Sequence, residues 1–427
     1  MNSSIIPHGM SRRHFMSHLA GASAMALPAA TLTSALSANA QELKQRGKSA
    51  ILLWMGGGPS TIDLWDLKPG SNNGGPFKPI GTNGDMKICE HLPLMAKQMD
   101  KLSIVRSMST READHTRGRY YMHTGYVPNP NVQHPSYGSV IAHELIENDA
   151  ARKKQLEIPP FVAVGGGSVG PGFLGMTWAP FVVSSNGQVK NLKMGIDQTR
   201  LMQRMHMLSA IEKNFVAQGR GEAAVDHQKI LKKTLSLLTS KQMGAFKSSQ
   251  EDAKVRERYG NNNFGRGCLM ARRLVEAGVP FVEVDLGGWD NHSNIFPTLQ
   301  NTKLPMLDQG MSALAEDLSQ RGMLQDTVVI WMGEFGRTPR INGNTGRDHW
   351  ARAWSVVVGG GKIQGGRAIG KTNADGTAVE TDPFTSQDLM ATVCQALDIS
   401  LSTTFQSRSG RPMRIANRGK VIKELFG

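Results

Sequence analysis

The chain is short of cysteine: Cys89, Cys268 and Cys394 are its whole complement in 427 residues. Thiols so few and so far apart exclude a disulfide framework and a cysteine-ligated zinc site; there is room for one disulfide, and at least one thiol stays unpaired. After the first 40 residues no apolar run reaches membrane-spanning length, so the mature chain is expected to carry no transmembrane segment. Internal repeats and long low-complexity tracts are absent, and so is any nucleic-acid module signature, which argues against nucleic acid as a partner. Acid is in deficit as well, with 35 Asp and Glu against 49 Lys and Arg for a formal net charge of +14. A basic surface suits anionic partners such as polysaccharide, phosphate or sulfate esters and envelope lipids. Because the Lys and Arg are dispersed, it reads equally as a merely soluble surface.

What the head of the chain does have is an arginine pair, in Ser11-Arg12-Arg13-His14-Phe15-Met16, then a weakly apolar, Ala-rich stretch over residues 19–35 and Ala38-Asn39-Ala40. Basic region, modest apolar region and small-x-small site together predict a twin-arginine export signal at 1–40, cleaved after Ala40. Ser, Thr and Pro28 interrupt the apolar stretch, which falls short of the ~20 apolar residues a membrane span needs. The expected protein therefore folds before crossing by the twin-arginine export machinery, and works in the periplasm or outside the cell. Its charge drops by the two arginines to +12, and 41–427 is expected to form a single domain.

Short apolar runs alternate with amphipathic segments along that domain. Strands are predicted at Ala50–Met55, Leu102–Arg106, Phe161–Val164, Pro280–Asp285, Thr327–Met332 and Trp354–Val358, each ending in Gly or polar residues. Helices are predicted at Leu92–Asp100, Ser136–Asn148, Gly265–Ala277, Met306–Arg321 and Ser386–Leu397. Such alternation gives an α/β fold, a mostly parallel sheet sandwiched by helices, whose sites form at the carboxyl edge of the strands. A stretch from about 197 to 258, rich in Met, Gln, Lys and Arg and without strand signals, reads as a helical insertion.

The chemistry sits where the strands end. Gly287-Gly288-Trp289-Asp290-Asn291-His292 presents a carboxylate and an imidazole two residues apart; Gly333-Glu334-Phe335-Gly336-Arg337 ends a second strand in an acid; Gly346-Arg347-Asp348-His349-Trp350 offers an acid beside a histidine. Any one of these could be a surface turn. Together they supply two histidines and three acids, the ligand inventory of a hydrolytic metal centre. An earlier loop, from Arg111 to Gly125, holds His115, Thr116, Arg117 and Arg119 at a probable helix start, suited to an oxyanion or, equally, a charged face with Glu112 and Arg117 solvated. Gly56-Gly57-Gly58-Pro59-Ser60 after the first strand could cradle an anion, but its spacing is neither a Walker loop nor a dinucleotide fingerprint.

The run from Gly56 to Pro69, the Asp114-His115 to Thr124-Gly125 segment, Gly288–His292, Gly333–Pro339 and Gly346–Trp350 together resemble the exported family known as domain of unknown function fifteen-oh-one. The resemblance covers nearly all of the mature chain. That family is distantly similar to the alkaline phosphatase and sulfatase superfamily, which implies a single sulfatase-like domain. It also implies that Asp290 and His292 stand where the superfamily places metal ligands, that Thr327–Gly336 matches its strand before Asp-His-Gly, and that His349 takes the place of a late metal histidine.

Three departures qualify the likeness. Glycines replace the acidic ligand after the first strand, with only Asp63 or Asp66 further on to substitute; Glu334-Phe335 replaces Asp-His; and His115, with Thr116 beside it, stands at the nucleophile position. The implied function is an exported, metal-dependent hydrolase of sulfate or phosphate esters on an anionic substrate such as a glycan. A divalent ion (Zn, Mn, Mg or Ca) would be held by Asp290, His292, Glu334 and His349, with Asp348 as a further ligand or orienting His349. Arg117, Arg119 and Arg337 would bind the ester oxyanion, and the attacking group would be water on the cation, Thr116 or His115. The alternative is a non-catalytic envelope protein of the same fold that binds a glycan or a partner protein.

Overall fold

Ser49-Ala50-Ile51-Leu52-Leu53-Trp54 is buried at every position, which only a strand covered on both faces can achieve. In the computed structural model, which describes residues 47–188, 198–217 and 240–427, this is β1 (Ser49–Trp54), an inner strand of the sheet. It is followed by β2 (Leu102–Met108), β3 (Phe161–Val164), β4 (Phe181–Val183), β5 (Phe281–Asp285) and β6 (Thr327–Met332). A two-residue ribbon, β7 (Gly336–Arg337) with β8 (His349–Trp350), precedes β9 (Trp354–Gly359) and β10 (Ala368–Ile369). Eight strands make one sheet in the order β10-β2-β9-β6-β1-β5-β3-β4. All run with β1 except β9, which is antiparallel to both its neighbours, β2 and β6. The expected mostly parallel α/β sheet is what forms.

The principal helices are α1 (His115–Thr124), α2 (Tyr137–Glu147), α3 (Gln198–Ala217), α4 (Asn263–Glu276), α5 (Leu304–Gln320) and α6 (Ser386–Ala396). Side chains close their open first turns: Asp114 accepts from Arg117 N, Ser136 from Ser139 N and Asn262 from Gly265 N, and Thr385 with Asp388 forms a capping box. Alternate residues of a strand face opposite ways. Ala50, Leu52, Trp54 and Phe281 therefore join one core with Val140 and Ile141 of α2 and Leu389 and Val393 of α6. On the other face α4 lies against β5 at Val284 and packs on α5.

The edge strands β4 and β10 have no counterpart among the expected elements. The helix expected at Leu92–Asp100 shortens to Pro93–Ala96, where the Asp308 carboxylate takes the free N–H groups of Leu94 (3.1 Å) and Met95 (2.7 Å). Within 197–258 the described residues include α3, the 3-10 turns Lys241–Phe246 and Ser248–Gln250 and the helix Ala253–Tyr259. Residues 189–197 and 218–239 lie outside the described residues, and so do 1–46, with Arg12-Arg13 and the expected cleavage point. All three cysteines are free and buried, so the one disulfide for which the sequence left room does not form; burial pushes the Cys89 thiol up to about 12 and raises the other two as well. Among the described residues no helix is long and apolar enough to cross a membrane.

Candidate metal centre

The parallel strands β1, β5 and β6 end together, so the loops that follow them meet at one edge of the sheet. Their approach is close. At Gly57, which has φ +110°, a Cβ would lie 2.6 Å from Asp290 N; at Gly346 it would lie 2.1 Å from the His292 carbonyl carbon. Side chains at either position would push the 288–292 loop away.

Asp290 is the hub. Its Oδ2 lies 3.3 Å from His115 Nε2, and its Oδ1 lies 2.9 Å from His292 Nε2 and 3.3 Å from His349 Nε2. One ligand atom each from His115, Asp290 and His349 fall within 4.8 Å of one another, and His292 Nε2 is 3.3 Å from His349 Nε2. Each imidazole is fixed from behind by an oxygen at its other nitrogen. His115 Nδ1 donates to Glu334 Oε1 at 2.6 Å, His292 Nδ1 to Asp348 Oδ1 at 2.7 Å and His349 Nδ1 to the Ala113 carbonyl at 2.7 Å. Phe335 packs beside His115 and His349, with ring centroids 5.1 and 4.7 Å away.

Arg337 braces the hub. Its buried guanidinium donates to Asp290 Oδ1 (2.6 Å), Gly58 O (2.7 Å), Gly57 O and Arg347 O (3.3 Å), tying the glycine turn after β1 to the 288–292 loop. Burial alone would raise the Asp290 carboxyl. The hydrogen bond and charge of Arg337, helped by His115 and His292, outweigh it and hold the group down at about 2. The bond to Glu334 raises His115 above the ordinary imidazole range, and the bond from His292 lowers Asp348.

The expected residues are thus distributed as follows. Asp290, His292 and His349 come together, and His115 joins them. Glu334 stands behind His115: its Oε1 also accepts from Gly57 N at 2.9 Å, while its buried Oε2 has no hydrogen-bond partner. Asp348 orients His292, not the adjacent His349, because neighbours in an extended segment point to opposite sides. Arg117 faces away, paired through Nε with Glu112 Oε2 at 2.6 Å. Arg119 donates to Gly167 O and lies over the Trp54 ring, 5.8 Å from its centroid, and Thr116 is exposed on the first turn of α1. Asp63 and Asp66 do not reach the cluster: Arg347 holds both oxygens of Asp63 at 2.8 Å, and Asp66 is taken by Lys68 at 3.0 Å and by Thr372. Asn342, which donates to Asp348 Oδ1 at 3.2 Å and to His292 O at 3.1 Å, was not singled out by the sequence; nor was the Ala113 carbonyl.

Residues 47–426 match the family described as protein of unknown function (DUF1501). None of the curated proteins matches the chain. Among solved structures, the fold is similar to the PsFucS1 sulfatase from Pseudoalteromonas sp. (12% identity, 84% of this chain and 71% of that one covered, TM-score 0.36). It is also similar to a protein in the alkaline phosphatase superfamily from Vibrio parahaemolyticus (12% identity, 88% and 69% covered, TM-score 0.35). A third is the phosphonate monoester hydrolase SpPMH from Silicibacter pomeroyi (9% identity, 89% and 77% covered, TM-score 0.35).

Proposed function

The chain belongs to the DUF1501 family, and we propose that it is an exported, cation-dependent hydrolase of sulfate or phosphate esters. The observation that carries this reading is the convergence of His115, His292 and His349 on Asp290 at the carboxyl edge of the sheet. The residues fit a divalent cation. Each imidazole gives its Nδ1 hydrogen to an oxygen behind it, which turns an Nε2 lone pair toward the carboxylate, an arrangement that a shared cation relieves. Such an ion, when bound, supplies positive charge where the ester's oxygens become more negative.

The chain's own groups do the rest. Glu334, Asp348 and the Ala113 carbonyl fix the tautomers, and Arg337 fixes Asp290 and the glycine turn. With its donors engaged by Asp290, His292 and three backbone carbonyls, Arg337 serves as a positioning residue; Arg119, with a single donor taken by Gly167 O, keeps donors for an ester oxyanion. Thr116 is exposed outside the cluster, so water is the attacking group: its oxygen bonds to sulfur or phosphorus, the ester bond breaks, and the alcohol leaves with a proton. The basic balance of the chain suits an anionic glycan as the carrier of the ester. Delivery by the twin-arginine machinery, with 1–40 removed and 41–427 working as one domain in the periplasm or beyond, completes the proposal.

The test is a panel of aryl sulfates, phosphate monoesters and phosphate diesters. Metal-dependent hydrolysis should vanish in His349→Ala and Asp290→Ala and fall in Arg119→Ala. A second reading, a binding protein of the same fold, is favoured by one observation: the residues that meet at Asp290, among those described, are imidazoles and a guanidinium, with no hydroxyl. It prevails if folded, metal-loaded protein turns over nothing in the panel or in a library of anionic glycans, yet is retained by one of those glycans on a column.

A further inference from the structure

His115 sits on the first turn of α1, where an attacking group was expected, yet its geometry is that of a ligand. Its Nδ1 hydrogen goes to Glu334 Oε1, and its Nε2, 3.3 Å from Asp290 Oδ2, is a buried atom with no hydrogen-bond partner. His349 is more constrained still, because the oxygen facing its Nδ1 is a backbone carbonyl, which can only accept. Its neutral ring must therefore turn a bare Nε2 toward Asp290 Oδ1 and His292 Nε2, each 3.3 Å away. Lone pairs aimed at one another and at a carboxylate repel; Arg337 offsets this at Asp290 Oδ1 and His292 Nε2, but His115 Nε2 has no such donor.

We propose that His115, His349 and Asp290 form the core of an imidazole-rich site, with His292 beside it, selective for a first-row transition cation over Mg²⁺ and Ca²⁺, with His115 a ligand and not a nucleophile. The proposal rests on the cation-dependent reading above. Mg²⁺ and Ca²⁺ take oxygen ligands, whereas imidazole nitrogen suits zinc and its neighbours. Ligand atoms bound tetrahedrally at ~2.0–2.1 Å stand about 3.3 Å apart. The carboxylate of Asp290 meets that spacing on each oxygen, Oδ2 at 3.3 Å from His115 Nε2 and Oδ1 at 3.3 Å from His349 Nε2, and one ligand atom of each of the three residues lies within 4.8 Å of the others. Arg337 reaches the same group, Nη2 at 2.6 Å from Asp290 Oδ1 and Nη1 at 3.4 Å from His292 Nε2. Its charge disfavours a second cation, so the stoichiometry is one.

The experiment uses full-length mature protein, stripped with chelator and titrated calorimetrically with Zn²⁺, Co²⁺, Mn²⁺, Mg²⁺ or Ca²⁺ singly. The Co²⁺ form is also read by its visible absorption. One equivalent of a transition cation should bind, raise Tm and, for Co²⁺, give the intense band of a low-coordinate site, while Mg²⁺ and Ca²⁺ leave Tm unchanged. His115→Ala and His115→Gln should each weaken binding by more than the ~10–100-fold that loss of an orienting partner causes, and alter the Co²⁺ band. Equal Tm of wild type and variant in chelator shows that the fold survives. Mg²⁺ or Ca²⁺ binding as tightly as Zn²⁺, or both His115 variants keeping wild-type affinity and absorption, overturns the proposal. Ester hydrolysis supported by Mg²⁺ alone overturns it while sparing the hydrolase reading; transition-metal binding without hydrolysis upholds it and sinks that reading.

Discussion

Arg347 and Asp63 form a buried, two-pronged ion pair, Nε to Oδ2 and Nη2 to Oδ1, both at 2.8 Å. The pair joins the segment after β1 to the loop that carries Asp348 and His349. It also removes from the cation cluster one of the two carboxylates that the sequence offered as a substitute ligand.

Asp63→Ala should therefore act on stability. It leaves a guanidinium buried without its partner, at a cost of about 3–5 kcal/mol. Urea unfolding of the metal-free protein should show that loss, while the folded fraction still takes up one equivalent of cation. A variant of normal stability that has lost its cation would reassign Asp63 as a ligand.

Gly57→Ala tests how closely the first-strand turn must approach the 288–292 loop. With φ at +110° and Asp290 N 2.6 Å from the new Cβ, the backbone strain alone is on the order of 1–3 kcal/mol. Tm should fall, and cation affinity should fall with it because Asp290 moves. Unchanged affinity would show that the turn does not hold the hub.

Glu334→Gln keeps an acceptor for His115 Nδ1 but removes its charge, so cation affinity should drop about 10–100-fold. The pH dependence has a definite sign. Glu334 raises the His115 pKa, so a proton competes with the cation at His115 up to a higher pH than for an ordinary imidazole. Binding should weaken as pH falls through that raised value, and in Glu334→Gln the same weakening should occur at lower pH. Calorimetric titrations across pH 5–8 would read both shifts, and identical profiles would remove Glu334 from its orienting role.

For export, replacing both Arg12 and Arg13 by lysine should hold the precursor inside the cell at its full length. Fractionation and an immunoblot decide this, and an envelope pool of normal size would discard the twin-arginine reading.

The strands Phe161–Val164 and Thr327–Met332 keep the bounds their composition implies, because continuous apolar runs closed by glycine or polar residues have few alternatives inside a parallel sheet. β4 and β10, with three and two residues, are too short for any periodicity to register. The meeting of the 288–292 and 346–350 loops follows from their places after strands of one sheet. What holds the imidazoles does not. A backbone carbonyl such as that of Ala113 leaves no mark in a sequence, and the turn of Asp348 toward His292 depends on which side of an extended segment it faces.

The pairing of β1 also sets an order in time. Ala50 finds its partner Phe281, and Ser49 its partner Thr327, only after most of the chain has been made, and β2 pairs with β9 later still. Closing such long loops is entropically costly and slow. Through most of synthesis, then, Ala50-Ile51-Leu52-Leu53-Trp54 is an unpaired apolar strand that must be shielded from other chains. The cluster is complete only when His349, its last imidazole, has emerged and β8 has paired with β7, so the site is assembled by the last third of the chain and not by the strand that starts the sheet.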